Sequence, residues 1–126
     1  MKKILVAIFF FPLIVAAQEM HFKIEQTCTA SKVTLDFRCN QDSQEFTIIR
    51  TGKQYFGVNS SDKTKYRLTV IESDSYITVL KNPVAFSGVS QIHLFQLDGT
   101  FYWTEVAYSE ILRERELTIR SGRRIK

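Results

Sequence analysis

Few side chains in this sequence are equipped for chemistry. Histidine occurs twice, as His21 and His93, and cysteine twice, as Cys28 and Cys39. Neither histidine falls in a Gly-x-Ser-x-Gly or His-Glu-x-x-His context, where local spacing sets up a nucleophile or a metal. His21 lies on the polar side of an alternating stretch and reads as a surface residue. His93 would serve a Ser–His–Asp site only if folding carried a serine and a carboxylate to it. Glu72 and Asp74 sit in a turn-forming stretch, where acids bond to nearby backbone. A glycosidase needs two carboxyl groups facing each other across a substrate, and spacing singles out no such pair. The expectation is therefore a binding protein and not an enzyme, with no catalytic residue assigned.

The two thiols and two imidazoles have no ligand spacing, so neither a metal site nor a cofactor is implied. Nor is Cys28 with Cys39 a Cys-x-x-Cys redox pair. In an exported chain two cysteines are expected to pair, and both fall in phase with the apolar side of their segments. A tight turn at Thr29–Lys32 argues otherwise. It would leave Cys39 at the far end of the returning strand, about 20 Å away, whereas a bridge needs Cα atoms within about 7 Å. Two arrangements stay open: a Cys28–Cys39 disulfide in a segment that is not a simple hairpin, or two buried, unpaired thiols.

Aromatic residues crowd the stretch LFQLDGTFYW, Leu94 to Trp103. Asp98-Gly99 between alternating apolar residues signals a two-residue type I′ hairpin. That turn pairs Leu97 with Thr100, Phe95 with Tyr102 and Leu94 with Trp103. Ile92, Leu94, Phe101 and Trp103 then share one face, and His93, Phe95, Leu97 and Tyr102 the other. The first set is the better core. The second is the candidate binding surface, although a cross-strand aromatic pair, at about 0.2–1 kcal/mol, needs no ligand to explain it. Were the faces exchanged, Trp103 would be the exposed anchor. A second candidate is the basic end, Arg120, Arg123, Arg124 and Lys126. It reads as a solvated terminus, or as a tail that rests on an anionic surface such as lipid headgroups or cell-wall polymer.

These residues must be carried by strands. His21–Cys28, Lys32–Cys39 and Lys65–Glu72 alternate apolar and polar residues, as half-buried antiparallel strands do. Shorter strands are expected at 45–50, 54–58, 76–81, 91–97, 100–106 and 116–120. Thr51-Gly52-Lys53, Asn59–Asp62, Ser73-Asp74-Ser75 and Asn82-Pro83 are turn formers between them. The segment Tyr108–Glu116 reads either as one helical turn, near 108–114, or as the start of the last strand. The fold class is all-β: a single-domain antiparallel sandwich, or a small filled barrel, of about seven to nine strands.

Residues 1–17 read as a secretory signal. Lys2 and Lys3 precede an uncharged apolar run, and Val15-Ala16-Ala17 gives the small-residue cleavage pattern before Gln18. The run is shorter than the about 20 residues of a spanning helix. Residues 18–126 then form one exported domain, periplasmic or secreted, with no transmembrane segment after cleavage. The formal net charge of +4 includes the two signal lysines and is too mild to imply nucleic acid. The function expected is a small, bacterial-type binding or inhibitor module that contacts a protein or glycan of the cell envelope. The alternatives are an accessory component of an envelope assembly and, behind it, a hydrolase with an unrecognised site.

Overall fold

The computed structural model describes residues 16–31, 36–83, 88–110 and 113–126. The expected signal sequence, apart from Ala16 and Ala17, lies outside them. The strands are β1 (Gln18–Ser31), β2 (Arg38–Gln41), β3 (Glu45–Thr51), β4 (Gln54–Val58), β5 (Lys65–Ser73), β6 (Ile77–Lys81), β7 (Val89–Phe95), β8 (Thr100–Ser109) and β9 (Glu114–Arg124). All neighbours are antiparallel, and β9 returns to pair with β1 along nine residue pairs from Phe22↔Arg124 to Ser31↔Glu116. The sheet therefore closes into an eight-stranded up-and-down barrel, with β2 as one extra strand. Closure removes the free edges that an open meander would expose.

Alternation sorts the side chains. Met20, Phe22, Ile24, Ile48, Tyr55, Leu68, Leu80, Ile92, Leu94 and Phe101 form one buried cluster inside. Phe46 stacks on Phe22 with ring centroids 5.0 Å apart and meets Phe101 edge-on at 4.9 Å. The half of the barrel nearest the β3–β4 and β7–β8 turns, here called the lower half, is the filled interior that the sequence suggests.

β1 is the longest strand and has three partners. Its first half pairs with β3, from Gln18↔Arg50 to Lys23↔Glu45, and its second half with β2, from Gln26↔Gln41 to Thr29↔Arg38. Between β2 and β3 the chain bends at Asp42, whose Oδ1 accepts the Ser43 and Gln44 amides and whose Oδ2 accepts the Thr27 hydroxyl. The Gln44 amide first, then the Thr27 hydroxyl and after it the Ser43 amide, hold the Asp42 carboxyl below the usual range, with a smaller contribution from the Arg120 charge.

Of the strand expected at Lys32–Cys39, residues 32–35 lie outside the described part, and the remainder is corrected: the described strand is β2, Arg38–Gln41, and Phe37 before it is exposed, not buried. β1 runs on to Ser31, so the turn falls later than Thr29–Lys32 and Cys28 stands directly opposite Cys39. The two are joined by a disulfide with Cα atoms 4.0 Å apart. With the turn later the separation of about 20 Å does not arise. The bridge lies on the outer side because the irregularity between Ile24 and Gln26 reverses the alternation of β1 and turns Cys28 away from the face of Phe22 and Ile24. The helical turn near 108–114 is also corrected. β8 continues to Ser109, which pairs with Glu114, so the alternation of Glu114-Arg115-Glu116 already belongs to the last strand. No helix among the described residues is long and apolar enough to cross a membrane.

The β7–β8 turn differs from the expected one in register but not in faces. His93 pairs with Tyr102 and Leu94 with Phe101, two residues away from the type I′ alignment. Gln96 to Gly99 form the loop, with the Gly99 amide bonded to the Phe95 carbonyl and Asp98 Oδ1 accepting both the amide and the hydroxyl of Thr100. Only Gly99 has positive φ, 72°, whereas type I′ needs two such residues. A shift of two residues preserves the alternation, so Ile92, Leu94 and Phe101 still point inward.

A candidate binding site at the upper mouth of the barrel

Above the filled half, the inward positions change character. Ile92, Trp103, Arg120 and Thr27 lie in one row across β7, β8, β9 and β1, and Ser90, Glu105 and Thr118 in the next row up. Trp103 donates its indole N–H to Ser90 Oγ at 2.8 Å, and Ser90 Oγ lies 3.4 Å from Glu105 Oε2. Glu105 Oε2 stands 3.8 Å from Arg120 Nη1, and the Arg120 guanidinium lies over the Trp103 ring at 5.0 Å. Ser90 is buried, so a polar network replaces the apolar core at this level. Buried polar groups of this kind need partners, and the indole, hydroxyl and carboxylate supply them to one another.

Across the barrel, Tyr66 packs against the core from β5. Its ring lies over Gly57 of β4, where any side chain would collide with it. Burial pushes the Tyr66 phenol above its ordinary pKa, because the phenolate would lose solvation there. A cavity of about 620 Å³ opens between these walls. Phe46, Tyr66 and Trp103 provide its apolar surface, Asn82 and Arg120 its inner polar groups, and Lys63 and Glu45 its remaining charges. A smaller cavity of about 280 Å³ marks the lower end, bounded by Arg50, Tyr55 and Arg124 among others.

The sequence-derived surface is brought together on the outside of β7 and β8. His93 is opposite Tyr102, the rings of Phe95 and Tyr102 meet edge-on at 5.8 Å, and Leu97 stands in the loop at 81% exposure. The basic residues do not form one tail. Arg120 points into the upper mouth and Arg124 lines the lower cavity. Arg123 lies on the outer face, ion-paired to Glu25 at 2.7 Å, and Lys126 lends its carbonyl to Arg124 Nε. These positions belong to the strand that closes the barrel and its immediate end. His21 shares a hydrogen bond with Thr47 Oγ1 through Nδ1, at 3.1 Å, and its Nε2 is 3.5 Å from Glu19. That row is on the outer side of β1 and β3. Among the described residues no three His, Cys, Asp or Glu side chains are grouped to hold a metal ion.

The mouth itself was not legible from the sequence. The sequence pattern places Trp103 in the core and Arg120 in a basic end, and only the register of β8 with β9 joins them. Neither a protein-family model, nor a curated protein, nor a solved structure matches this chain. The site stands on its geometry alone.

Proposed function

We propose that this is an exported, non-catalytic binding module of the periplasm or cell exterior that seats a small ligand in the upper mouth of its barrel. The carrying observation is the cavity of about 620 Å³ walled by Phe46, Tyr66 and Trp103 beside Arg120. Ligand pockets usually measure about 300–1,000 Å³ and combine apolar walls with a few placed polar groups. Eight strands give a barrel just wide enough either to be filled or to hold one small ligand, and this barrel is filled only below. The Cys28–Cys39 bridge supports an oxidising compartment.

Trp103 is the only tryptophan and stands in the cavity wall, so it reports on the site directly. The test is titration with anilinonaphthalene sulfonate, following energy transfer from Trp103. Saturable one-to-one binding that Tyr102→Ala leaves unchanged supports the mouth as the site. Absence of saturable binding overturns it. A second reading rests on the exposed Phe95, Leu97 and Tyr102 group, and loss of dye binding in Tyr102→Ala would favour that face as a surface for an envelope protein or glycan.

A further inference from the structure

We infer that the ligand of the upper mouth is a monocarboxylate with an apolar body, its carboxylate held by Arg120 and its body against Phe46, Tyr66 and Trp103. This rests on the mouth being a ligand site and adds the chemistry of what enters it. The cavity wall carries two cations, Arg120 and Lys63, and one carboxylate, Glu45. Glu105, whose Oε2 is 3.8 Å from Arg120 Nη1, points inward from the next row of β8 and is not part of that wall. The lining groups by themselves carry one positive charge in excess. Glu105 offsets it from the next row without a hydrogen bond, and an anionic group that bonds the guanidinium directly gains what Glu105 at 3.8 Å does not.

Arg120 is held for such a task. Its stem rises from the strand that closes the barrel, its guanidinium lies over Trp103, and Nη1 is turned to Glu105 at 3.8 Å, beyond hydrogen-bond length. Nη1 is covered and has no hydrogen-bond partner among the described residues, while about a quarter of the side chain, 24%, stays exposed. That edge is thus held by Trp103 and Glu105, and Arg120 borders the cavity. A guanidinium fixed in this way matches a carboxylate through paired N–H donors. Trp103 and Glu105 act as positioning residues, locking the plane of the fork by stacking and by charge. A sugar would find fewer free ring faces here, since Trp103 is covered by Arg120 and Phe46 stacks on Phe22.

The experiment uses the exported chain, residues 18–126, and calorimetric titration with four probes below their micelle concentrations: decanoate, decanol, 1-naphthoate and 1-naphthalenemethanol. At least one acid is expected to bind about tenfold tighter than its matching alcohol, or more. Preference for decanoate marks a chain-bodied ligand, and preference for naphthoate a ring-bodied one. Arg120→Met should reduce the acid preference to about twofold or less. Because that change strands Glu105, Arg120→Met with Glu105→Gln is the second variant, folded state being checked by circular dichroism, and it should show the same loss. Equal binding of acids and alcohols, or an acid preference that survives in the double variant, overturns the proposal and leaves the mouth as a site for another ligand class. Failure of all four probes and of the naphthalene dye to bind saturably overturns the site itself.

Discussion

In the lower half of the barrel the inward positions are Phe22, Ile48, Leu68, Leu94 and Phe101, all buried. Higher along β7, β8 and β9 they become Ser90, Trp103, Glu105 and Arg120, and a cavity opens. The backbone is the same closed ladder at both levels, so the difference lies wholly in the side chains dealt inward. Large apolar groups fill the space that eight strands enclose. A hydroxyl, a carboxylate and a guanidinium cannot fill it, because each must keep partners, and they draw one another to the wall. One half thus supplies stability and the other supplies room.

The largest way to break that contrast is to hollow the filled half. Phe101 is wholly buried and touches Phe22 and Phe46 edge-on. Phe101→Ala should cost about 3–5 kcal/mol, as buried ring deletions do, read as a lower midpoint in urea. Trp103→Phe at the mouth removes the indole donor to Ser90 and part of the surface under Arg120. Its expected cost is about 2 kcal/mol, the sum of one buried hydrogen bond and lost stacking. If the two variants cost the same, the division of labour between the halves fails.

Between these two in size stands the disulfide, which ties the upper extension of β1 to β2. It closes a segment of sequence separation 11, and its loss in Cys28→Ala with Cys39→Ala should cost about 2–3 kcal/mol in the chain-entropy account. β2 pairs with β1 alone, so hydrogen exchange should rise first at Cys28–Thr29 and Arg38–Gln41 and leave the amides of β7 protected. Uniform loosening of the whole barrel would show instead that the extension is integral to the filled half.

How much of this was legible follows from what alternation can report. It located the described strands other than β2 and gave the correct inward faces of Ile92, Leu94 and Phe101, because a two-residue register error leaves faces unchanged. It failed where the meaning of inward changes. Beyond the filled core, β9 turns Arg120, Thr118 and Glu116 to the inner side and Ile119 and Leu117 to the outer side, reversing the usual reading of apolar as buried. The partners of Arg120 are Trp103 and Glu105 from another strand, and only pairing brings them within reach. Sequence spacing carries no record of that. The disulfide was obscured for a simpler reason, since moving one turn by a few residues decides whether two cysteines are opposed or far apart.

A smaller sequence signal, Asp-x-Thr, links the two ends. Asp62-Lys63-Thr64 at the upper rim and Asp98-Gly99-Thr100 at the lower end build the same loop. In each, the aspartate Oδ1 accepts the amide and hydroxyl of the threonine two residues on, and the residue between has positive φ, 61° at Lys63 and 72° at Gly99. The threonine hydroxyl, and then its amide, lowers the pKa of both aspartates. A carboxyl lowered in the folded state contributes stability that is present above its unfolded pKa, near 3.8, and is lost as pH falls through the lower folded value. Asp62→Asn with Asp98→Asn should therefore flatten the acid limb of the thermal midpoint between about pH 2 and 5; an unchanged limb would remove these loops from the acid response.

The smallest expected effect concerns the residue on which the two loops differ. Left-handed backbone is free for glycine and strained for lysine. Lys63→Gly should relieve that strain, offset in part by the greater freedom of glycine in the unfolded chain, for a net gain of about 0.5 kcal/mol. The same change removes one of the two cations of the cavity wall. Stability and ligand preference should then move in opposite directions, the midpoint in urea rising slightly while the margin of decanoate over decanol narrows. A gain in stability with the margin unchanged would confine anion recognition to Arg120, and a loss of stability would mean that the Lys63 side chain holds the rim by contacts that outweigh its backbone strain.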